Sequence, residues 1–452
     1  MKTTVHHDQP GTLRSLLALV WPVLAEQLLV MLVGFSDTLL AGHYLDESHL
    51  AAMTVISYAL WTMTNLFSIV AIGALAMTAR FVGASDRPAA NRVVNQSLLL
   101  GGILAAAFTT AGLLWGEHFA AALGLAGEPA ELAGRYLKIL IPMLPLMMCE
   151  AIGIACLRGA GDMITGLVAM IMVNVVNITV SWGLVSGAGF FPELGWDGLA
   201  IGTACGHALG GLIPLAVLLR GRFGLRIERR LLRPEPDLIR RILKIGVPGG
   251  LDVLSIVFLQ LVFLSIISGL STDELAAHGV AIRIESIAYL PGYAFQVAAA
   301  TLAGQYLGAK DYLRASRSVW VACAVNGGLL TVAGLVLLLG APYLVALFLN
   351  PQQTGVLAIA PSLLRIVSIA MPPLALMQVF TGALRGAGDT RWPLLVTILG
   401  FVGVRLPLAY LFVSTWHWGV QGAWYAMVID VLVRCALIGF RFLHGGWKRV
   451  EV

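Results

Sequence analysis

Charge is scarce in this chain. Of its 452 residues only 12% are Asp, Glu, Lys or Arg, about half of the roughly 25% usual for a soluble globular domain, and the mean hydropathy is +0.87. That shortage excludes a cytosolic enzyme, a nucleic-acid binder and a disordered scaffold. Cysteine is sparse too: Cys149, Cys156, Cys205, Cys323 and Cys435 all lie in apolar stretches. None stands at a CxxC or Cys/His ligand spacing, so neither a disulfide framework nor a metal site is expected. Segments of alternating hydrophobicity, which a membrane barrel requires, are missing. So is a Walker A sequence, which excludes ATP drive within the chain. What is abundant is apolar residues, at 58%, with 50 Gly and 19 Pro, both more frequent in transmembrane helices than in soluble ones. The composition is that of an all-α, polytopic membrane protein.

A bilayer core takes about 20 mostly apolar residues per helix. Twelve such runs stand near 15–40, 50–78, 93–115, 134–157, 164–187, 197–219, 243–268, 277–304, 318–340, 358–384, 393–414 and 420–442. The first is too long for a signal-peptide core, contains Glu26 and Asp37, and lacks a clear cleavage site, so it is expected to stay. Basic residues crowd the even-numbered loops. Arg220, Arg222, Arg226, Arg229, Arg230, Arg233, Arg240, Arg241 and Lys244 follow the sixth run, and Arg80, Arg87, Arg158, Lys310, Arg314, Arg385 and Arg391 mark the others. The odd-numbered loops carry acids, with Arg135 and Lys138 the exception. By the positive-inside rule both termini are cytoplasmic, in a multi-pass protein of the plasma (inner) membrane. The expected order is a tail (1–14), six spans (15–219), a basic cytoplasmic linker (220–242), six spans (243–442) and a second tail (443–452). The linker is read as a topology determinant in contact with anionic lipid, with no nucleic-acid partner.

The chain is a duplication. Leu157-Arg158-Gly159-Ala160-Gly161-Asp162 recurs as Leu384-Arg385-Gly386-Ala387-Gly388-Asp389. Pro22 matches Pro248, Gly83-Ala84 matches Gly308-Ala309, and Gly195 and Gly198 match Gly419 and Gly422, with every offset between 224 and 227 residues. Six spans, an even number, separate equivalents. The halves therefore form a parallel repeat, two six-helix lobes about a pseudo-twofold axis along the membrane normal, the kind of repeat that rocks around a central site. With this order and spacing, Asp37-Thr38-Leu39-Leu40-Ala41-Gly42, the two Leu-Arg-Gly-Ala-Gly-Asp turns and Gly304-Gln305-Tyr306-Leu307-Gly308-Ala309 resemble the MATE (multidrug and toxic compound extrusion) family of the MOP flippase superfamily, over essentially the whole chain. The resemblance implies a proton- or sodium-driven antiporter that extrudes organic cations or other amphipathic small molecules. It implies no cofactor beyond that coupling ion and no enzymatic activity. The protein is expected to act as a monomer in the bilayer.

Ionisable residues within spans are expensive and hence default candidates for function. Glu26 and Asp37 lie eleven residues, three turns, apart on one face of the first span, with no basic residue between them. A buried carboxylate without a basic neighbour can hold a proton near neutral pH, as coupling requires. The resemblance assigns Asp37 the coupling role and adds Asn177 and Thr203, whose neutral oxygens suit a protonated carboxyl or a hard cation. Glu26 is read as a coupling group or a structural one. Where many relatives carry an acid four residues after that Asn, this chain has Ser181, and the tenth span has no acid, which points to a mechanism centred on Asp37. Asp430 and Arg434, four apart, read as a structural pair. Arg283 and Glu285 point to opposite sides of the eighth span, and Asp252 is the expected mate of Arg283. These three are candidates for packing or for cargo.

Tyr58, Trp61 and Asn65 on the second span, with Tyr289 and Tyr293 on the eighth, are cavity candidates, since aromatic faces attract organic cations. An interface-belt role suits them equally well. Two rivals stand beside the transporter. A lipid or polysaccharide-precursor flippase of the same superfamily is kept open by Arg283 and Arg405. An intramembrane enzyme is disfavoured because His207 and His278 stand in no HExxH-like spacing.

Overall fold

The structure, a computed structural model, describes residues 13–122, 127–349 and 352–452, without the side chains of residues 47, 51, 54, 55, 58 and 115–122. All regular elements among the described residues are helical. The first half runs α1 (Leu13–Tyr44), α2 (Glu47–Leu66), α3 (Ser68–Gly83), α4 (Arg87–Ala122), α5 (Glu128–Leu140), α6 (Leu144–Gly159), α7 (Ile164–Ser186) and α8 (Trp196–Leu219). The second runs α9 (Pro236–Ile267), α10 (Thr272–Gly308), α11 (Tyr312–Ala346), α12 (Thr354–Ser368), α13 (Met371–Gly386), α14 (Arg391–Gly400), α15 (Leu406–Tyr410) and α16 (Gly419–His444).

Among the described residues nine helical stretches are long and apolar enough to cross a membrane, and α12 with α13 makes a tenth, bent by 53°. The 37-residue α10 and the 26-residue α16 complete twelve. They are less apolar because they carry Arg283 and Glu285, and Asp430 and Arg434. Several helices outrun their apolar runs at both ends: the ninth run, near 318–340, is the core of Tyr312–Ala346. The breaks in the fourth, tenth and eleventh spans fall at proline, which lacks the N–H for the helical ladder. Pro142 lies within the 3₁₀ turn Ile141–Met143 between α5 and α6 and Pro145 in the first turn of α6, and Pro372 and Pro373 open α13. Around Pro407 the eleventh span loosens into π-helical turns at Phe401–Arg405 and Leu411–Thr415.

Two compact units divide the chain. One comprises Trp21–Gly250, and the other comprises Leu251–Val452 with the helical turns before Trp21. Each repeats the other's turns. Gly161 (φ 94°) and Gly388 (φ 86°) both adopt the left-handed conformation that glycine tolerates best. In each case the following Asp N–H closes back onto the Leu carbonyl five residues earlier, at 2.9 Å (Asp162 to Leu157) and 2.8 Å (Asp389 to Leu384). Ser85 and Lys310 share φ 59° at the matching turns. Within the second unit α13 lies backbone-close on α10, since a Cβ at Gly386 would come within 1.9 Å of the Ala300 carbonyl.

The linker is ordered in the first unit. Side-chain amides of α4 hold it: Asn95 Nδ2 donates to the Arg226 carbonyl (2.8 Å) and Asn95 Oδ1 accepts from Glu228 N–H (2.9 Å). Gln96 Nε2 donates to the Leu231 and Arg233 carbonyls, each at 2.7 Å. The loop read from the sequence as a topology determinant in contact with anionic lipid is a strap on α4.

Candidate functional site

Asp37 is 1% exposed on α1. Two elements bring neutral partners to it. Helices α7 and α8 pack closely because small residues line their seam: a Cβ at Gly202 would lie 2.1 Å from Ser181 Oγ, and one at Gly206 3.0 Å from the Val173 carbonyl. That proximity places Asn177 Nδ2 3.1 Å from Thr203 Oγ1. Asn177 Nδ2 also donates to Asp37 Oδ1 at 3.0 Å, and Thr203 Oγ1 donates to Asp37 Oδ2 at 2.9 Å. Behind them the Tyr136 hydroxyl of α5 donates to Thr203 Oγ1 at 2.9 Å, and Ser36 Oγ donates to Asn177 Oδ1 at 3.2 Å. The three expected residues thus meet in one buried cluster. Tyr136 and Ser36 had no distinguishing signal in the sequence. Ser181, buried in the same seam, reaches only the Leu199 carbonyl at 3.4 Å.

The hydroxyl of Thr203 has a second acceptor, the Leu199 carbonyl one turn back on its own helix, at 3.1 Å. Its single hydrogen serves one acceptor at a time. It can stabilise an ionised Asp37, or turn to Leu199 when Asp37 carries a proton.

Glu26 corrects the expectation of an unpaired acid. Arg158 Nη2, from the first Leu-Arg-Gly-Ala-Gly-Asp turn, donates to Glu26 Oε2 at 2.6 Å. Gly166 leaves room for that carboxylate, as a Cβ there would stand 2.7 Å from Oε2. Glu26 is therefore charge-paired and forms no part of the Asp37 cluster. The proposed mate of Asp252 is corrected in the same way. Arg385 Nη2 of the second turn donates to Asp252 Oδ2 at 2.6 Å. Arg283, by contrast, is exposed and forms no ion pair among the described residues. The repeat held the answer to both: Glu26 and Asp252 stand 226 residues apart, as Pro22 and Pro248 do, and the two arginines are repeat equivalents.

A further buried pair escaped attention in the sequence. His207 Nδ1 of α8 stands 3.0 Å from Glu150 Oε2 of α6. A Cβ at Gly210 would lie 2.9 Å from that same oxygen.

At the equivalent place in the second unit the chemistry differs. Counting by the repeat, Phe263 replaces Asp37, Met427 replaces Thr203, and Arg405 stands beside the position of Asn177. The Arg405 guanidinium lies 5.5 Å from the Phe263 ring centre and 4.2 Å from that of Phe401. Asp430 takes 2.7 Å contacts from both Arg405 and Arg434, so the expected Asp430–Arg434 pair is part of a buried triad. Glu285 is half-buried on α10 and forms no ion pair among the described residues. The cavity candidates are not gathered by any described contact. Trp61 and Tyr289 are exposed, Tyr293 is half-buried, and half-buried Asn65 donates to the carbonyl of Trp61. The side chain of Tyr58 lies outside the described residues.

The model of the MatE family matches residues 22–182 and 248–411, one stretch in each half. A protein named "Probable multidrug resistance protein NorM" from Thermotoga maritima is 27% identical over 452 residues, covering 98% of this chain and 95% of that one. A protein of the same name from Burkholderia pseudomallei is 30% identical over 328 residues, covering 70% and 69%. Among solved structures, a MOP superfamily transporter from Pyrococcus furiosus superposes with a TM-score of 0.89 at 21% identity, covering 97% of each chain. An outward-facing multidrug resistance MATE family transporter superposes at 0.88 and 21%, again over 97% of each. The P. furiosus protein is described as having a binding pocket of reversed polarity that suggests a different function. These structures share the fold of twelve spans in two six-helix lobes. A duplicated chain, helical throughout its described residues and matched by the family model in both halves, is a multi-pass membrane protein, and it belongs to the MATE family of transporters.

Proposed function

We propose that this protein is a proton-driven efflux antiporter for amphipathic or cationic small molecules, with Asp37 as the coupling carboxylate. The observation that carries the reading is a fully buried carboxylate whose described partners, Asn177 and Thr203, are neutral. Of the other buried acids, Glu26, Glu150, Asp252, Asp389 and Asp430 meet a cationic or basic partner, and Asp162 accepts from the backbone N–H and hydroxyl of Thr165 at the start of α7. An uncompensated buried charge is costly, so Asp37 gains from taking either a proton or the positive charge of cargo, and the two compete. Thr203 supplies the internal adjustment, its hydroxyl moving between Asp37 and Leu199.

The donor set favours the proton over sodium. A hard cation needs converging oxygens, whereas Asn177 turns its Nδ2 to Asp37 and its Oδ1 away toward Ser36. Multidrug cargo is carried over from the NorM relatives. The flippase reading gains nothing from the buried arginines, because Arg405 and Arg434 are already engaged by Asp430. Rocking of two six-span lobes in the inner membrane, with cytoplasmic termini, is the cycle that suits the duplication.

The test is ethidium transport by reconstituted protein under an imposed proton gradient and, separately, a sodium gradient. Ethidium should move against the proton flux and ignore sodium. Transport driven by sodium alone overturns the proton reading, and ethidium flux that neither gradient drives overturns antiport.

A further inference from the structure

The pair formed by Glu150 and His207 has no place in the mechanism above, yet it occupies the same unit and the same helix as the Asp37 cluster. Thr203 and His207 are four residues apart on α8, so their side chains are neighbours on one face, about 5–6 Å apart at Cβ. Thr203 touches Asp37, and His207 is one turn nearer the helix end that leads into the basic linker. Glu150 faces it from α6, and Gly210 provides the space. His207 meets Glu150 through Nδ1, which leaves Nε2 as the nitrogen able to exchange a proton.

The surroundings of the pair are otherwise poor in ionisable groups. From α1 come Asp37 and the arginine-paired Glu26, and from α5 come Tyr136, bound to Thr203, with Lys138 half a turn on. Helix α7 has no ionisable residue. Those of α3 and of the described part of α4 are Arg80, Arg87 and Arg92, in a last turn and first turns. Helix α2 has Glu47 and His49 at its start and Tyr58 further along. Further along α6 stands Arg158, engaged by Glu26. Asp37 is therefore the group whose change of charge the pair senses most.

We propose that Glu150 and His207 form a second proton site, the station through which the Asp37 proton leaves toward the linker end of α8. The proposal rests on the reading of Asp37 as a proton site. When cargo takes the place of the proton on Asp37, that proton passes to the imidazole, directly or through the Thr203 hydroxyl. The resulting imidazolium is balanced by the Glu150 carboxylate, so the unit does not hold an unpaired buried cation. Release from His207 Nε2 toward the linker side then returns the pair to its starting state. The proton count balances: one leaves Asp37, one is held by the pair, and one is released.

The experiment compares wild-type protein with His207→Gln and Glu150→Gln in proteoliposomes, with two readouts. One is ethidium transport driven by a proton gradient. The other is ethidium-for-ethidium exchange without a gradient, which needs no net proton movement. His207→Gln retains a hydrogen bond to Glu150 and removes the proton acceptor. Proton-driven transport is expected to fall on the order of tenfold or more, as loss of a positioned proton carrier does. Exchange is expected to stay within about twofold of wild type, the split that separates a proton role from a structural one. Glu150→Gln, which removes the balancing charge, should show the same split. Both variants driving transport at the wild-type rate with the wild-type pH dependence overturns the proposal. So does equal loss of both readouts, which marks a structural pair. Wild-type protein indifferent to the proton gradient removes the antiport reading itself, an outcome visible before any variant is made.

Discussion

The two halves of this chain hold the same frame around different chemistry. Both anchor the first helix of the half to its Leu-Arg-Gly-Ala-Gly-Asp turn by a buried ion pair, Glu26 to Arg158 and Asp252 to Arg385, each at 2.6 Å. Both close that turn with a left-handed glycine. Yet where the first half gathers Asp37, Asn177 and Thr203, the second places Phe263 under Arg405. A buried pair strapping a broken span to its neighbour serves either copy, and neutral donors around a lone carboxylate occur in one copy only. On the proposed coupling role of Asp37, the difference separates what makes the lobe from what would couple it.

The largest effect should come from the residue that differs most between the halves. Asp37→Asn keeps the size and one acceptor oxygen and removes the titratable group, so proton-driven efflux should drop to background while the protein folds. Phe263→Leu at the equivalent place should leave the ion dependence unchanged and cost on the order of 1–2 kcal/mol, since a smaller side chain replaces a buried ring. Efflux against external pH, at matched expression, makes the comparison. It breaks if Asp37→Asn transports like wild type, or if Phe263→Leu moves the pH profile.

The next effect concerns the shared frame. Removing one partner of a buried pair leaves an uncompensated charge and costs about 3–5 kcal/mol. Glu26→Gln and Asp252→Asn should therefore lower stability alike, read as denaturation midpoint in detergent. The double change Glu26→Met with Arg158→Met should be milder than either single one, because a lone buried charge is the expensive state. If Glu26→Gln left stability intact and shifted the ion dependence instead, Glu26 would rejoin the coupling site.

Much of this was readable in the sequence, and the gaps have physical causes. Twelve apolar runs gave twelve spans because a bilayer demands length and apolarity that little else produces. Asp37 stood out as an acid in a span without a basic neighbour, and Asn177 and Thr203 came from the family resemblance. Asp252 was matched to Arg283 because pairing was sought between consecutive spans, and Glu26 was left without a partner, whereas both reach the turn after the fourth span of their half. Position 226 residues on from Glu26 is Asp252, and both arginines belong to the repeated hexapeptide, so the duplication itself predicted the pairing. His207 and Glu150 lie 57 residues apart on non-consecutive spans, and no periodicity joins them. Gly210, which admits the carboxylate, looks in sequence like any other glycine of an apolar helix.

The smallest effect distinguishes how each half secures the segment that leaves it. After the sixth span the linker lies along α4, tied by Asn95 to Arg226 and Glu228 and by Gln96 to Leu231, Arg233 and Glu235. At the position equivalent to Asn95 the second half has Trp320, whose ring packs edge-on against Phe380 at 5.6 Å and Phe442 at 5.9 Å. Phe442 in turn stacks on Trp447 of the C-terminal segment at 5.0 Å. One half holds its exit by amides and the other by rings. Asn95→Ala removes two bonds to linker backbone at about 1 kcal/mol each, which should loosen the strap without unfolding α4. The linker is rich in arginine, so trypsin reports the change directly: cleavage between Arg226 and Arg233 should quicken about tenfold, the ratio that roughly 1.4 kcal/mol of easier opening gives when reclosing outpaces cleavage. Proton-driven ethidium transport should stay within about twofold of wild type, since a loosened strap of roughly 1–2 kcal/mol leaves the Asp37 cluster untouched. Unchanged trypsin resistance would show that the amides merely accompany a linker held in place by its other contacts, and the contrast between amide and ring would lose its meaning.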